Sequence, residues 1–261
     1  MADIKRIAIA QISAKPADLD YNTRKVIRII RENRTADLVV FPELILQGHH
    51  HRIHKEFTVS SVDVGTLEKI QEVCNEYNTS TVVGGLEVVG NKHYNCAFYI
   101  DGERIDRYMK THVHWTEDFS PGKKLGCFDS NIGRIGILIC FDIAFPEVGR
   151  SLALMGAKVF VAIAVIPWDF NRDYVLRRLQ GMAINNQVFV IYANKWKKGK
   201  YNGASCVIDP HGKIRKKMPD KQGVLRSEIK LDEIDEWRRT EKIFENRRPE
   251  LYGEILKLKK P

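Results

Sequence analysis

The stretch Ile135-Gly136-Ile137-Leu138-Ile139 constrains this chain more than any other. It is of strand length, mostly β-branched, and shows no alternation between apolar and polar residues. Such a strand is buried on both faces, which requires a sheet covered on both sides. The runs 38–41, 159–166 and 188–192 have the same character. Segments with helical periodicity separate them. Residues 18–33 place Leu19, Val26, Ile29 and Ile30 on one face with arginines outside, and residues 66–77 place Leu67, Ile70, Cys74 and Tyr77 together. The pattern predicts an α/β protein in which two sheets pack together and helices cover both outer surfaces.

The length of 261 residues suits one large domain, 1–261, and no linker or long-period repeat interrupts it. The charged tail 241–261 has too few apolar residues for its own core, so it is expected to lie on the surface or on a second subunit. The longest apolar run, 159–166, is too short to span a bilayer. The chain enters directly into a strand at residues 4–10 without the apolar core of a signal peptide, so a cytoplasmic protein with no membrane partner is expected. The net charge of +9 invites a nucleic-acid reading. Much of it, however, falls in turn-like stretches at 195–200, 213–217 and 257–260, which read as solvated loops, and no nucleic-acid partner is expected. The cysteines Cys74, Cys96, Cys127, Cys140 and Cys206 have no paired spacing, which argues against a disulfide framework or structural zinc. His49, His50 and His51 lie in a row, but no further ligand set completes a metal site and neighbouring side chains point apart.

Three reactive side chains each follow directly on a predicted strand. Cys140 ends the run 135–139, and Phe145-Pro146-Glu147 then opens a helix, so the thiol sits on a tight strand-to-helix turn beside backbone N–H groups. Glu43 follows the strand 38–41 and Pro42, and Lys110 follows the strand 104–109. Taken singly these read as a core thiol, a helix N-terminal acid and a surface lysine. Taken together, at strand ends that converge on one rim, they suggest covalent acyl transfer. The carboxylate takes the thiol proton, the thiolate attacks carbon, and the ammonium, with the Phe141 N–H at the start of the turn, holds the developing oxyanion.

At these residues the chain resembles the nitrilase superfamily of carbon–nitrogen hydrolases. Phe41-Pro42-Glu43-Leu44 is similar to the segment with the family's general base, and Tyr108-Met109-Lys110-Thr111-His112 to its lysine segment. Residues 139–147 resemble its nucleophile segment and residues 202–212 its late hairpin. The resemblance covers nearly the whole chain. It implies a four-layer α-β-β-α sandwich, pairing of subunits into a homodimer or higher homo-oligomer, and a Glu43-Lys110-Cys140 site without metal or organic cofactor. It also implies a second glutamate, which Glu117 matches by position, and substrate-positioning groups at Pro167 and Trp168. Nitrilases typically carry Cys-Trp-Glu at the nucleophile. Cys140-Phe141-Asp142 looks instead like the amidase and carbamoylase branches, and the length excludes a glutamine-dependent synthetase. The expected substrate is a small amide or N-carbamoyl compound, with a nitrile as the alternative. An inactive interaction protein on the same scaffold is the reading from another class, and it is disfavoured because no member of the triad is missing.

The expected chemistry needs no metal. Prolonged dialysis against a chelator should leave turnover unchanged, and zinc-restorable loss would implicate His49, His50 and His51.

Overall fold

The computed structural model describes residues 3–48 and 61–257, so the histidine cluster at 49–51 lies outside the described residues. In β1 (Ile4–Gln11), Ile7 and Ile9 face one side and Ala8 and Ala10 the other, and all four are buried. The same two-faced burial holds in β2 (Leu38–Val40), β7 (Ile135–Ile139) and β8 (Val159–Ala164). Alternate residues of one strand therefore enter different cores, and this is why these runs contain no polar positions.

Two six-stranded sheets result. The first has the order β14 (Gly223–Lys230), β1, β2, β3 (Ser80–Val89), β4 (Lys92–Ile100), β5 (Ile105–Met109). The second has the order β13 (Ile214–Lys217), β12 (Cys206–Ile208), β9 (Phe189–Asn194), β8, β7, β6 (Gly126–Phe128). A short ribbon of β10 (Trp196–Lys197) and β11 (Tyr201–Asn202) stands apart. Between the sheets lies a core to which Ile9, Val40, Val82 and Tyr108 contribute from one side and Ile137, Ile139, Val161 and Ile191 from the other. Helices α1 (Leu19–Glu32) and α2 (Val64–Tyr77) close the outer face of the first sheet. Helices α3 (Pro146–Leu154) and α4 (Arg172–Asn186) close that of the second. This is the α-β-β-α sandwich that the pattern predicts. Helix α5 (Asp232–Thr240) and the short α6 (Gly253–Lys257) complete the chain. Among the described residues no helix is long and apolar enough to cross a membrane.

Strand direction aligns the site. β1, β2 and β3 are parallel, and two antiparallel reversals through β4 return β5 to the direction of β3. Glu43 and Lys110 therefore follow strand ends on the same rim. β7, β8 and β9 are likewise parallel, so Cys140, Pro167 and Lys195 follow strand ends on one rim of the second sheet.

Three expectations need correction. From the sequence, residues 79–83 read as a strand stopped by Gly84-Gly85, but β3 continues through both glycines. Gly84 is there because the turn after β2 lies directly on the strand. A Cβ on Gly84 would stand 2.5 Å from the Leu44 nitrogen, 2.6 Å from the Pro42 carbonyl oxygen and 2.7 Å from the Glu43 Cα. The sequence reads as irregular over 111–126, but Gly126 opens the edge strand β6, residues 126–128. Lys195, expected in a solvated loop, is 1% exposed, because its ammonium reaches the Leu44 carbonyl of the turn after β2.

Gly84→Ala should displace backbone rather than a flexible side chain. Overpacking of this kind costs roughly 1–3 kcal/mol, so a melting temperature lowered by several degrees is expected, with a larger proportional loss of activity because the displaced turn carries Glu43.

Candidate active site

Glu43 is completely buried. Its Oε1 accepts from Asn95 Nδ2 at 2.6 Å and from Lys110 Nζ at 3.3 Å. Its Oε2 is buried with no hydrogen-bond partner among the described residues. Leu44 follows at φ +47°, a left-handed conformation that non-glycine residues adopt at a cost of about 1 kcal/mol or more. That bend turns the chain sharply after β2 and leaves the carboxylate at the rim.

Lys110 Nζ bridges two carboxylates. Besides Glu43 it donates to Glu117 at 2.7 Å and 3.0 Å, one bond to each oxygen. The loop carrying Glu117 is held by the same residue, since the His114 N–H donates to Glu117 Oε2 at 3.2 Å. The backbone of Lys110 is fixed by its N–H to the Asn95 carbonyl at 2.9 Å. Asn95 thus positions the lysine through its main chain and the glutamate through its side chain.

Cys140 opens a 3-10 turn, Cys140–Ala144, and has φ +49°. It is half-buried and packs against both the inner core and the core beneath α3 and α4. Asp142, completely buried, ties this turn to the lysine segment. Its Oδ2 accepts from the Ile139 N–H at 2.9 Å and the Tyr108 hydroxyl at 2.8 Å. Its Oδ1 accepts from the His112 N–H at 3.0 Å and the Thr111 hydroxyl at 3.2 Å. One carboxylate therefore locks the nucleophile turn onto the end of β5.

The electrostatics follow from burial. Desolvation pushes the Cys140 thiol well above its ordinary range; Glu43 adds to this, and Lys110 opposes it. The resting group is a thiol that needs a base. Desolvation also raises Glu43, against the pull of Lys110 and with the push of Glu117. On Lys110 burial disfavours the charge, but Glu43, Cys140 and Glu117 outweigh it and the ammonium is held above the ordinary lysine range. These four groups are close enough for each charge to act on the others. The cluster supplies a protonated nucleophile, a buried base with a free oxygen, and a permanent cation.

Phe141 takes its place in an aromatic rim. Its ring stands edge-on to His114 at 4.9 Å, Trp115 at 5.6 Å and Phe145 at 5.1 Å, and Trp115 is largely exposed. Burial lowers the His114 imidazole below its usual range. Pro167 and Trp168 follow β8 and are tied to the β11 segment. Pro167 forms a bridge with Tyr201, and the Trp168 N–H donates to the Lys200 carbonyl at 3.1 Å. Among the described residues no group of three or more His, Cys, Asp or Glu side chains could hold a metal ion.

Asn95, Asp142 and Lys195 are site residues that the sequence reading passed over. A signal existed for two of them. Asn95 is the polar residue at the head of the apolar run 96–100, and Asp142 is an acid in the turn after a buried strand.

The chain belongs to the carbon–nitrogen hydrolase family, which it matches over residues 6–239. It is 28% identical to an (R)-stereoselective amidase of a Pseudomonas species over 95% of this chain and 93% of that one. It is 28% identical to the N-carbamoylputrescine amidase of Solanum tuberosum, over 92% of this chain and 91% of that one. The crystal structure of Saccharomyces cerevisiae Nit3, a member of the nitrilase superfamily, superposes with a TM-score of 0.81 at 22% identity, covering 94% of this chain and 97% of that one.

Asp142→Asn places an N–H against one of the donors that the carboxylate accepts from. An unsatisfied buried polar group costs about 1–3 kcal/mol, so thermal unfolding should fall by at least about 3 °C. Turnover should fall with it, because the Cys140 turn loses its anchor.

Proposed function

We propose that the chain hydrolyses a non-peptide C–N bond of a small amide or N-carbamoyl compound through a thioester at Cys140. The observation that carries this reading is the buried Lys110 ammonium hydrogen-bonded to Glu43 and Glu117 beside a thiol on a left-handed turn. Family membership and the amidases among its relatives support the reaction class.

In this mechanism the unpartnered Oε2 of Glu43 takes the thiol proton as sulfur attacks the carbonyl carbon. Negative charge moves to the substrate oxygen, which Lys110 and the Phe141 N–H stabilise. Glu43 returns the proton to the nitrogen as the C–N bond breaks, and ammonia or an amine leaves. Glu43 then activates water, which attacks the thioester and releases the acid and the thiol. Glu117 holds Lys110 in place and keeps its charge close to the reacting oxygen. Because burial raises Glu43, the acid limb of kcat/KM should lie above the ordinary carboxylate range, with activity lost as pH falls through it.

The outer face of α3, with the tail beside it, exposes Leu154, Met155, Tyr252, Ile255 and Leu256. A second copy of the chain covering this face is the assembly we propose, since buried apolar surface of this kind is what homodimer contacts are made of.

Ammonia release across small amides, N-carbamoyl compounds and nitriles tests the reaction class, and rapid-quench mass spectrometry with a substrate that is turned over tests the intermediate. An acyl adduct on the peptide containing Cys140 is expected. Cys140→Ala and Glu43→Gln should each remove nearly all turnover, and Lys110→Ala should lose at least ~10²-fold. An adduct on another cysteine, full activity in Cys140→Ser, or release from nitriles alone would overturn the reading.

A further inference from the structure

Two buried carboxylates on one ammonium leave the candidate site with one negative charge more than positive. A second buried lysine stands on the other side of Glu43. Lys195 follows β9 in the second sheet and is 1% exposed. Its Nζ donates at 3.1 Å to the carbonyl of Leu44, the residue after Glu43 in the first sheet. The Lys195 backbone is itself fixed, since its carbonyl accepts from the Gly203 N–H at 3.0 Å. Its Nζ lies 6.0 Å from the centre of the Tyr201 ring. A single side chain thus spans the sandwich and grips the left-handed Leu44 turn from opposite β2.

We propose that Lys195 is a positioning residue for Glu43: from the opposite sheet it clamps the turn that carries this carboxylate and supplies the second positive charge that keeps it ionised. This rests on the reading of Glu43 as the proton acceptor. A cation with no role near a base is costly to bury and is replaced without loss by an apolar residue of the same shape. Here the charge has an occupation. Burial lowers Lys195 to about 7, Glu43 pulls it up, and Lys200 and Lys25 push it down. The charges facing it are therefore Glu43 after β2, Lys25 on α1 and Lys200 in the ribbon, with Lys110 and Glu117 beyond Glu43. Glu43 is the carboxylate that favours the charged form, and by reciprocity Lys195 favours ionised Glu43.

Lys195→Met keeps the stem and removes the charge. With a substrate the wild type turns over, kcat should fall at least ~10-fold, and the acid limb of kcat/KM should move up by about half a pH unit or more. Lys195→Gln keeps an N–H donor without the charge and should show the same limb shift; it carries the test if the methionine variant does not fold. Lys195→Arg restores a permanent cation and should bring the limb back towards the wild-type position. Lost activity with an unmoved limb would mean a merely structural lysine and would overturn the proposal. So would a kcat within twofold of wild type in folded Lys195→Met. Glu43→Gln, measured in parallel, separates the two ideas: if it stays active, the reading of Glu43 fails, and if it is inactive while Lys195→Met is unaffected, only Lys195 is misassigned.

Discussion

The interaction on which the site depends is the buried ammonium of Lys110 held between Glu43 and Glu117. Ions taken out of water are costly, and a lone carboxylate at the position of Glu43 would simply hold its proton. Two carboxylates around one ammonium make it possible to keep charge in this interior, and they fix geometry as they do so. Lys110 Nζ has its hydrogens aimed at three carboxylate oxygens, so its position is set to within the reach of those bonds. That in turn sets where an oxyanion could be held.

The scaffold holds this arrangement with few flexible parts. Glu43, Lys110 and Cys140 each sit one to three residues beyond the end of a strand, where the backbone is already fixed by its neighbours. Two of the turns, at Leu44 and Cys140, use left-handed backbone without glycine. Such turns persist only where the surroundings over-determine them. For Leu44 the surroundings are Gly84 beneath and Lys195 across the sandwich. For Cys140 they are the hydrogen bonds that Asp142 accepts from the Ile139 and His112 N–H groups and the Tyr108 and Thr111 hydroxyls.

Much of this was legible from the residues alone, for a physical reason. Strands buried on both faces, such as 135–139 and 159–164, admit no polar residue, so they announce themselves and their ends. Glu43 and Cys140 stand at such ends, and Lys110 at the end of the edge strand β5. What could not be read was contact across the sandwich. Asp142 looks like any turn acid until Tyr108 and His112 are seen donating to it from the end of β5 in the other sheet. Lys195 opens a run with Lys197, Lys198 and Lys200, and charge density along a sequence says nothing about which member turns inward. Gly84-Gly85 reads as a strand stop because glycine weakens strands, whereas here the missing side chain of Gly84 makes room for the Glu43 turn.

The electrostatic design also bears on when the nucleophile becomes reactive. Burial raises both the Cys140 thiol and Glu43, so in the resting site their charged forms are disfavoured together. A free thiolate beside Glu43 and Glu117 would place a third negative charge next to two others. If sulfur attacks a carbonyl while its proton passes to Glu43, the pocket's net charge does not change. The negative charge leaves the carboxylate and reappears on the substrate oxygen, nearer Lys110. Redistribution of this kind needs no reorganisation of the surrounding dipoles, and fixed donors stabilise it more than mobile water can. The thiol is then activated by the substrate's own electrophilic carbon, with Glu43 as the place where the proton goes.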